Sequence, residues 1–228
     1  MVQFRLFGIP IQVLPFFFLT ALLIGPHDLR GAVLWIPIVF AGVLAHELGH
    51  AAAVRQQGFA PAIQLHAFGG ATTWSAHRPL PPSRRILISA AGPAVGIAIG
   101  VIALAVSRLA PLEDPVLRRT IWYVVWVNLG WGVLNLLPIL PLDGGVMVTA
   151  AAEGVLGPKG RRLARVVSLV VCVGLGLWAL ALGWWWSTIL AAILAYANLQ
   201  ALRSDVGQTG PPKSGIGGSG HPFDREPG

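Results

Sequence analysis

The sequence predicts an all-α polytopic membrane protein with about six transmembrane helices, a small β-hairpin loop on the cytosolic side and a disordered C-terminal tail. Three observations lead to this fold class. Of the 228 residues, 55% are hydrophobic and only 11% are charged, and the mean hydropathy of +0.70 exceeds that of soluble domains. Apolar runs recur near the length of roughly 20 residues that crosses a bilayer. The last 25 or so residues are rich in Gly, Pro and Ser.

Six apolar runs account for the predicted transmembrane helices. They occupy residues 9–25, 31–54, 85–107, 120–137, 163–183 and 184–201. The first run has no small-residue cleavage site before Gly25, so we interpret it as a retained span and not as a signal peptide. Between the last two runs only Gly183 and three tryptophans offer a turn, so one span and two spans are both compatible with that segment.

Two segments lie outside the apolar runs. Residues 58–85, GFAPAIQLHAFGGATTWSAHRPLPPSRR, alternate short apolar runs around a Gly-Gly turn, which predicts a small hairpin at the cytosolic membrane edge. The segment from Ser204 onward lacks apolar periodicity and predicts disorder. The sequence therefore divides into an intramembrane domain over residues 1–203 and a cytosolic tail over residues 204–228.

The basic residues indicate membrane topology and not nucleic-acid binding. The net charge is +7, but the 16 Lys and Arg residues are scattered at the ends of apolar runs and form no single basic face. Most of them fall on the cytosolic side if the N-terminus is inside, so we predict that both termini are cytosolic. The single cysteine, Cys172, excludes an intrachain disulfide.

The stretch VLAHELGHAAAV, residues 43–54, places ionisable side chains inside the second apolar run. His46 and His50 are four residues apart, so on a helix both imidazoles project from one face and reach one ion. With Glu47 beside them, this spacing is the signature in which two histidines bind zinc and the glutamate is the general base. A bound Zn²⁺ would compensate the cost of burying all three groups. The alternative is a set of polar side chains that satisfy one another in a helical bundle or line an ion pathway.

Asp143, in NLLPILPLDGG, is the candidate for a third metal ligand. It adjoins the fourth apolar run on the same predicted side as the histidines, where Pro138 and Pro141 break the helix. The alternative is that Asp143 caps a short helix over residues 145–156. Counting 1.5 Å per residue back from the basic residue Arg55 places His50 and His46 about 7 and 13 Å inside the membrane edge. The predicted site is therefore near the cytosolic face.

Together these motifs resemble the site-2 protease family of intramembrane metalloproteases. The resemblance rests on HELGH, NLLPILPLDGG, FGGAT and AAGPAVG, and covers most of residues 40–150. It implies that His46, His50 and Asp143 bind one Zn²⁺ per chain, and that Glu47 activates a water molecule.

The resemblance also implies residues that bind substrate. Asn135 corresponds to a residue that holds the substrate near the zinc, and Phe68, Gly69 and Gly70 correspond to membrane-edge strands that pair with an unwound substrate. The sequence alone leaves the roles of His66, His77 and Asn128 open.

The implied activity is hydrolysis of a peptide bond in or near the transmembrane segment of a single-span membrane protein, in a bacterial or archaeal plasma membrane. The short outer loop, residues 108–119, and the short tail predict a minimal core without a PDZ or nucleotide-sensing module. Substrate choice would then depend on a regulatory membrane partner or on prior trimming. Two alternatives are a zinc or proton transporter, which usually has polar residues along several spans, and a non-catalytic helix-binding homologue, which would be expected to have lost Glu47.

Overall fold

A computed structural model describes residues 1–111 and 113–207. Strands and helices alternate near the N-terminus, and helices alone follow. In chain order the elements are β1 Val2–Leu6, β2 Ile9–Val13, α1 Pro15–Ile24, α2 Leu29–Gln56, β3 Pro61–His66, β4 Gly69–Trp74, α3 Pro82–Leu109, α4 Pro115–Val125, a π-helical segment Trp126–Gly130, α5 Trp131–Asn135, α6 Asp143–Leu156, α7 Pro158–Ala181 and α8 Trp185–Gly207.

Four of the described helices are long and apolar enough to cross a membrane. They are α2, α3, α7 and residues Trp185–Ser204 of α8, and they match the predicted spans 31–54, 85–107, 163–183 and 184–201. The last two are separated by a turn at Gly183, whose φ of 73° is in the left-handed region. Residues 163–201 therefore form two helices, and the chain is a membrane protein.

The first predicted span, residues 9–25, is wrong as a single helix. Its first part is strand β2, and only the ten residues of α1 are helical. The cause is an N-terminal hairpin that was not predicted. Strands β1 and β2 are antiparallel and joined at Phe7 and Gly8, whose φ angles of 51° and 77° match the turn that two-residue hairpin loops favour. The backbone groups of β2 are thus paired in a sheet.

The fourth predicted span, residues 120–137, corresponds to a helical run from Pro115 to Asn135. The run changes from α-helix to π-helix at Trp126–Gly130 and back again. It ends where the two prolines were expected to break it. The irregular backbone over residues 136–142 then leads into α6, which begins at Asp143, two residues before the predicted start.

A four-stranded sheet contains the predicted hairpin. Strands β3 and β4 are antiparallel, as expected for residues 58–85, although the turn is at Ala67 and Phe68 and the Gly-Gly pair opens β4. Strand β3 also pairs in parallel with β2, so the order is β1-β2-β3-β4. The predicted hairpin is therefore half of a larger sheet.

The sheet packs on the C-terminal half of α2. Ile11, Ile63 and Leu65 of the sheet are fully buried in one apolar cluster with Val43 and Ala51 of α2. Burying large aliphatic side chains contributes about 1.5–3 kcal/mol each, so this cluster fixes the sheet against the helix that carries the HELGH motif.

The prediction that the disordered tail begins at Ser204 is wrong, because the last helix continues past this residue. Residues 204–207 continue helix α8 to its last residue, Gly207. Residues 208–228 lie outside the described part of the chain.

Candidate metal centre

The HELGH side chains lie on the buried face of α2. His46, Glu47 and His50 are only 4%, 5% and 7% exposed. The two imidazole rings lie one helical turn apart in an edge-to-face arrangement, with Nε2 atoms 3.1 Å from each other. The sequence prediction that both histidines point to one place is confirmed.

Asp143 reaches the same place from a segment 97 residues away from His46. Its Oδ2 atom lies 3.1 Å from His46 Nε2 and its Oδ1 atom 3.3 Å from His50 Nε2. The Asp143 side chain faces the histidines. Asp143 is the first residue of α6, and the N-terminal cap residue of this helix is Leu142, which makes no side-chain capping bond. The geometry thus favours the ligand interpretation of Asp143 over the helix-cap alternative.

The three side chains fit a zinc ion. Zinc in proteins is tetrahedral with bonds near 2.0–2.1 Å, which places its ligand atoms about 3.3 Å apart. The donor atoms of His46, His50 and Asp143 are separated by 3.1–3.3 Å. Among the described residues, these three side chains form the group that could hold a metal ion. Imidazole nitrogens and a carboxylate oxygen are also the donors that zinc accepts.

The orientation of His50 is fixed by helix α3. Its Nδ1 lies 2.7 Å from the Ile88 carbonyl oxygen, so the Nδ1–H donates to that oxygen and the Nε2 lone pair faces the site. Gly92 on α3 makes this approach possible, because a Cβ atom there would lie 2.2 Å from His50 Nε2. The Gly92, Gly96 and Gly100 spacing thus serves close packing, as expected, and one member packs directly on a candidate ligand.

Strand β4 holds the side chain of Glu47. The Thr72 hydroxyl lies 2.7 Å from Glu47 Oε2 and 3.1 Å from the Glu47 carbonyl oxygen. Gly70, two residues earlier on the same strand face, leaves space for the glutamate, since a Cβ atom there would lie 2.4 Å from Glu47 Cγ. The sequence places Thr72 in the FGGAT motif, whose resemblance implies strands that pair with substrate, but it predicts no contact of Thr72 with Glu47.

The other residues with a predicted role differ in exposure and contacts. Phe68 is 80% exposed at the β3–β4 turn, and Gly69 packs against the indole ring of Trp131. Asn135 is buried at the end of α5 and donates its Nδ2 to the Trp131 carbonyl oxygen at 3.1 Å. Gly69 and Asn135 therefore both meet Trp131.

Three polar residues whose roles the sequence left open are not in the metal-binding group. His66 accepts a hydrogen bond from the Phe68 amide, and His77 lies near the Phe59 ring. Asn128, in the centre of the π-helical segment, donates to the Val124 carbonyl oxygen. Its Oδ1 and the Nδ1 of His46 are buried and have no hydrogen-bond partner among the described residues.

The chain is similar to known proteins that carry the name of zinc metalloproteases. The family model of peptidase family M50 matches residues 111–179, which contain Asp143 and the loop before it. Rip3 of Mycobacterium tuberculosis, which carries the name of a zinc metalloprotease, is 35% identical over 167 residues, covering 64% of this chain and 42% of that protein. Stage IV sporulation protein FB of Bacillus subtilis is 33% identical over 140 residues, covering 60% and 47%. The chain spans about half the length of the curated relatives it matches.

The fold has a counterpart among solved structures. The site-2 protease from Methanocaldococcus jannaschii superposes with a TM-score of 0.60 and 23% identity, covering 88% of this chain and 94% of that chain. The match shows a shared fold over nearly the whole of both chains. The resemblance that the motifs indicate is thus confirmed as a similarity: the chain is similar to peptidase family M50 over residues 111–179 and shares the fold of a site-2 protease.

Proposed function

We propose that this chain is an intramembrane zinc metalloprotease that hydrolyses a peptide bond in or near the transmembrane segment of single-span membrane proteins. The observation that carries the proposal is the meeting of His46, His50 and Asp143 at 3.1–3.3 Å beside the buried carboxylate of Glu47. His46, His50 and Asp143 would hold one Zn²⁺. The ion would supply Lewis acidity, which lowers the pKa of water and polarises a carbonyl group.

Glu47 is the general base in this proposal. Its carboxylate takes the proton of the attacking water and later delivers that proton to the leaving amine of the substrate. The hydroxyl of Thr72 donates to Oε2, so it holds the carboxylate in one orientation while Oε1 remains the atom that receives the proton. Gly70 keeps the space beside Oε1 clear.

The outer edge of β4 is the proposed place for the substrate. Strand β4 is the last strand of the sheet, so its outer edge is unpaired among the described strands and can accept an extended chain. A transmembrane helix hides its carbonyl groups in hydrogen bonds and must unwind locally before hydrolysis. We assign Phe68, Gly69 and Gly70 to the contact with the unwound segment and Asn135 to the binding of its backbone near the metal.

The proposed topology has six crossings. They are the pair β2 and α1, then α2, α3, the run from α4 to α5, α7 and α8. An even number places both termini on one side, and the distribution of Lys and Arg favours the cytosol. The active site then lies near the cytosolic face of a bacterial or archaeal plasma membrane, and a membrane partner would regulate access to it.

The test compares wild type with Glu47→Gln in detergent, against a panel of single-span substrates. We expect one zinc per chain in both proteins and cleavage by wild type alone. Glu113→Gln, in an exposed outer loop, is the matched control and should cleave normally. Zinc binding without any cleavage that depends on Glu47 would reject the protease. Zinc flux in proteoliposomes that survives Glu47→Gln would support a transporter instead.

A further inference from the structure

The loop that leads to Asp143 is hydrogen-bonded by side chains from the last two helices. Ser168 on α7 accepts a bond of 2.8 Å from the Leu140 amide. Asn198 on α8 donates its Nδ2 to the Leu140 carbonyl oxygen, also at 2.8 Å. Ser168 is 0% exposed and Asn198 is 3% exposed. Both backbone polar groups of Leu140 are thus satisfied by buried side chains.

These bonds give the Leu140 backbone partners outside its own segment, whereas the neighbouring amides of the loop donate to nearby backbone carbonyl oxygens. Residues 136–142 connect α5 to α6 without regular structure, and irregular backbone at membrane depth is tolerated only where its polar groups find partners inside the protein. Asn198 is itself held in place, because Nδ2 also donates to the Leu194 carbonyl oxygen one turn earlier in α8. Leu140 is therefore fixed to a rigid helix pair.

The position of Leu140 determines the position of Asp143. The Leu142 amide donates to the Ile139 carbonyl oxygen at 2.7 Å, and the Val146 amide donates to Leu142. The first turn of α6 also packs directly on the loop, because a Cβ atom at Gly145 would lie 2.4 Å from the Ile139 carbonyl carbon. The loop cannot move without moving the start of α6.

We propose that Ser168 and Asn198 are positioning residues for the third metal ligand. By holding Leu140 they keep the Asp143 carboxylate close enough to His46 and His50 for the three side chains to hold one ion. The proposal rests on the proposed metal site and extends it to helices α7 and α8, which carry none of the ligands.

The test measures zinc affinity by competition with a chelator, using the full chain in detergent. Asn198→Leu keeps the side-chain size without the donor, and Ser168→Ala removes one oxygen atom. We expect each to weaken zinc binding by about 10–100-fold, as is typical when the partners of metal ligands are removed. Thr149→Val is the matched control, because among the described residues this buried hydroxyl donates to the Gly145 carbonyl oxygen of its own helix. Its zinc affinity should match wild type.

A double-mutant cycle separates positioning from general damage to the fold. If Asn198 acts through Asp143, Asn198→Leu weakens zinc binding in the wild-type background and has little further effect in Asp143→Ala. The Co²⁺-substituted Asn198→Leu protein should likewise lose the intense visible absorption of a tetrahedral site. Equal losses in both backgrounds, or wild-type affinity in both variants, would overturn the proposal.

Circular dichroism and gel filtration establish that each variant is folded. If Asn198→Leu is not, Ser168→Ala takes its place in the cycle, since it changes a single atom. The readout is metal binding, so a wild type that binds zinc without hydrolysing any substrate contradicts the protease alone. A wild type that binds no zinc contradicts both proposals.

Discussion

At the scale of single residues, the site depends on the space that glycines leave around its side chains as much as on its donor atoms. Gly92 on α3 and Gly70 on β4 each stand where a side chain would occupy the space of His50 or Glu47. The sequence identifies the small-residue spacing of Gly92 as a packing feature. It does not show which ring the glycine faces, because that depends on how α3 rotates against α2.

Gly92→Ala should therefore disrupt the metal centre. The new Cβ atom would lie 2.2 Å from His50 Nε2 and displace the imidazole from its position beside His46 and Asp143. We expect zinc affinity, measured by chelator competition, to fall by about 10–100-fold. Gly174→Ala in α7 is the control, because a Cβ atom there meets nothing within 4 Å. Unchanged zinc affinity in Gly92→Ala would contradict the position of His50.

Thr72→Val should lower turnover without affecting zinc content. Valine keeps the shape of threonine but removes the donor to Glu47 Oε2, and hydrogen bonds to charged groups contribute about 1.5–3 kcal/mol. We expect kcat to fall by about tenfold or more and Thr72→Ser to restore most of it. Thr73→Val, on the opposite face of β4, should retain wild-type kcat. Equal kcat in Thr72→Val and Thr73→Val would exclude a role for the hydroxyl.

At the scale of elements, the N-terminal strands show why an apolar run does not determine its own secondary structure. VQFRL and IPIQV alternate with a period of two around Phe7 and Gly8, which is a hairpin pattern. The second strand merges with the apolar residues of α1, so the whole run has the length of a membrane span. Pairing with β3 decides the outcome, and that pairing is a contact between distant parts of the chain.

Three helices meet at one carboxylate below the site. Glu153 on α6 accepts hydrogen bonds from Arg85 on α3 and Arg161 on α7. Burial raises the pKa of Glu153, but the bonds from both guanidinium groups outweigh it and hold the pKa below the ordinary value of 4.5. The ionised form is thus favoured by folding, and its contribution to stability depends on pH.

Glu153→Gln should lower the midpoint of thermal unfolding at pH 7 by about 2–4 °C, the shift expected for roughly 1 kcal/mol in a protein of this size. A carboxylate with a lowered pKa in the folded state stabilises fully above its unfolded pKa, and this contribution is lost as the pH falls through the folded value. The difference from wild type should therefore be constant above pH ~5 and shrink below pH ~4. Glu113→Gln should show no difference, and a gap that persists in acid would contradict the ionic contribution.

At the scale of the whole molecule, the site joins segments that the sequence identifies separately. Local patterns predict the His46, Glu47 and His50 face, the helix break before Asp143 and the β3–β4 hairpin. Thr72, Ser168 and Asn198 carry no local signal, because an isolated polar residue in a strand or an apolar helix has many ordinary roles. Their contacts with the site exist only because β4, α7 and α8 fold against it.

The orientation of the molecule in the membrane determines which side of the membrane the metal centre faces. Helix α2 has 28 residues, or about 42 Å at 1.5 Å per residue, which exceeds the ~30 Å hydrocarbon core. Its two ends must therefore lie on opposite sides of the bilayer. The sheet follows its C-terminal end, where the Arg55 side chain donates to the Phe7 carbonyl oxygen. The distribution of basic residues predicts that this end is cytosolic.

Cysteines introduced at exposed positions on the two sides test this orientation. In right-side-out vesicles, a membrane-impermeant maleimide should label His27→Cys, before α2, at once. It should label Ser75→Cys, after β4, only when the membrane is permeabilised. Both native side chains are exposed, and the proposed topology puts them on opposite sides of the membrane. The native chain is the control, since its single cysteine, Cys172, is buried and should not react. The reverse labelling pattern would place the metal centre near the outer face and contradict the predicted orientation.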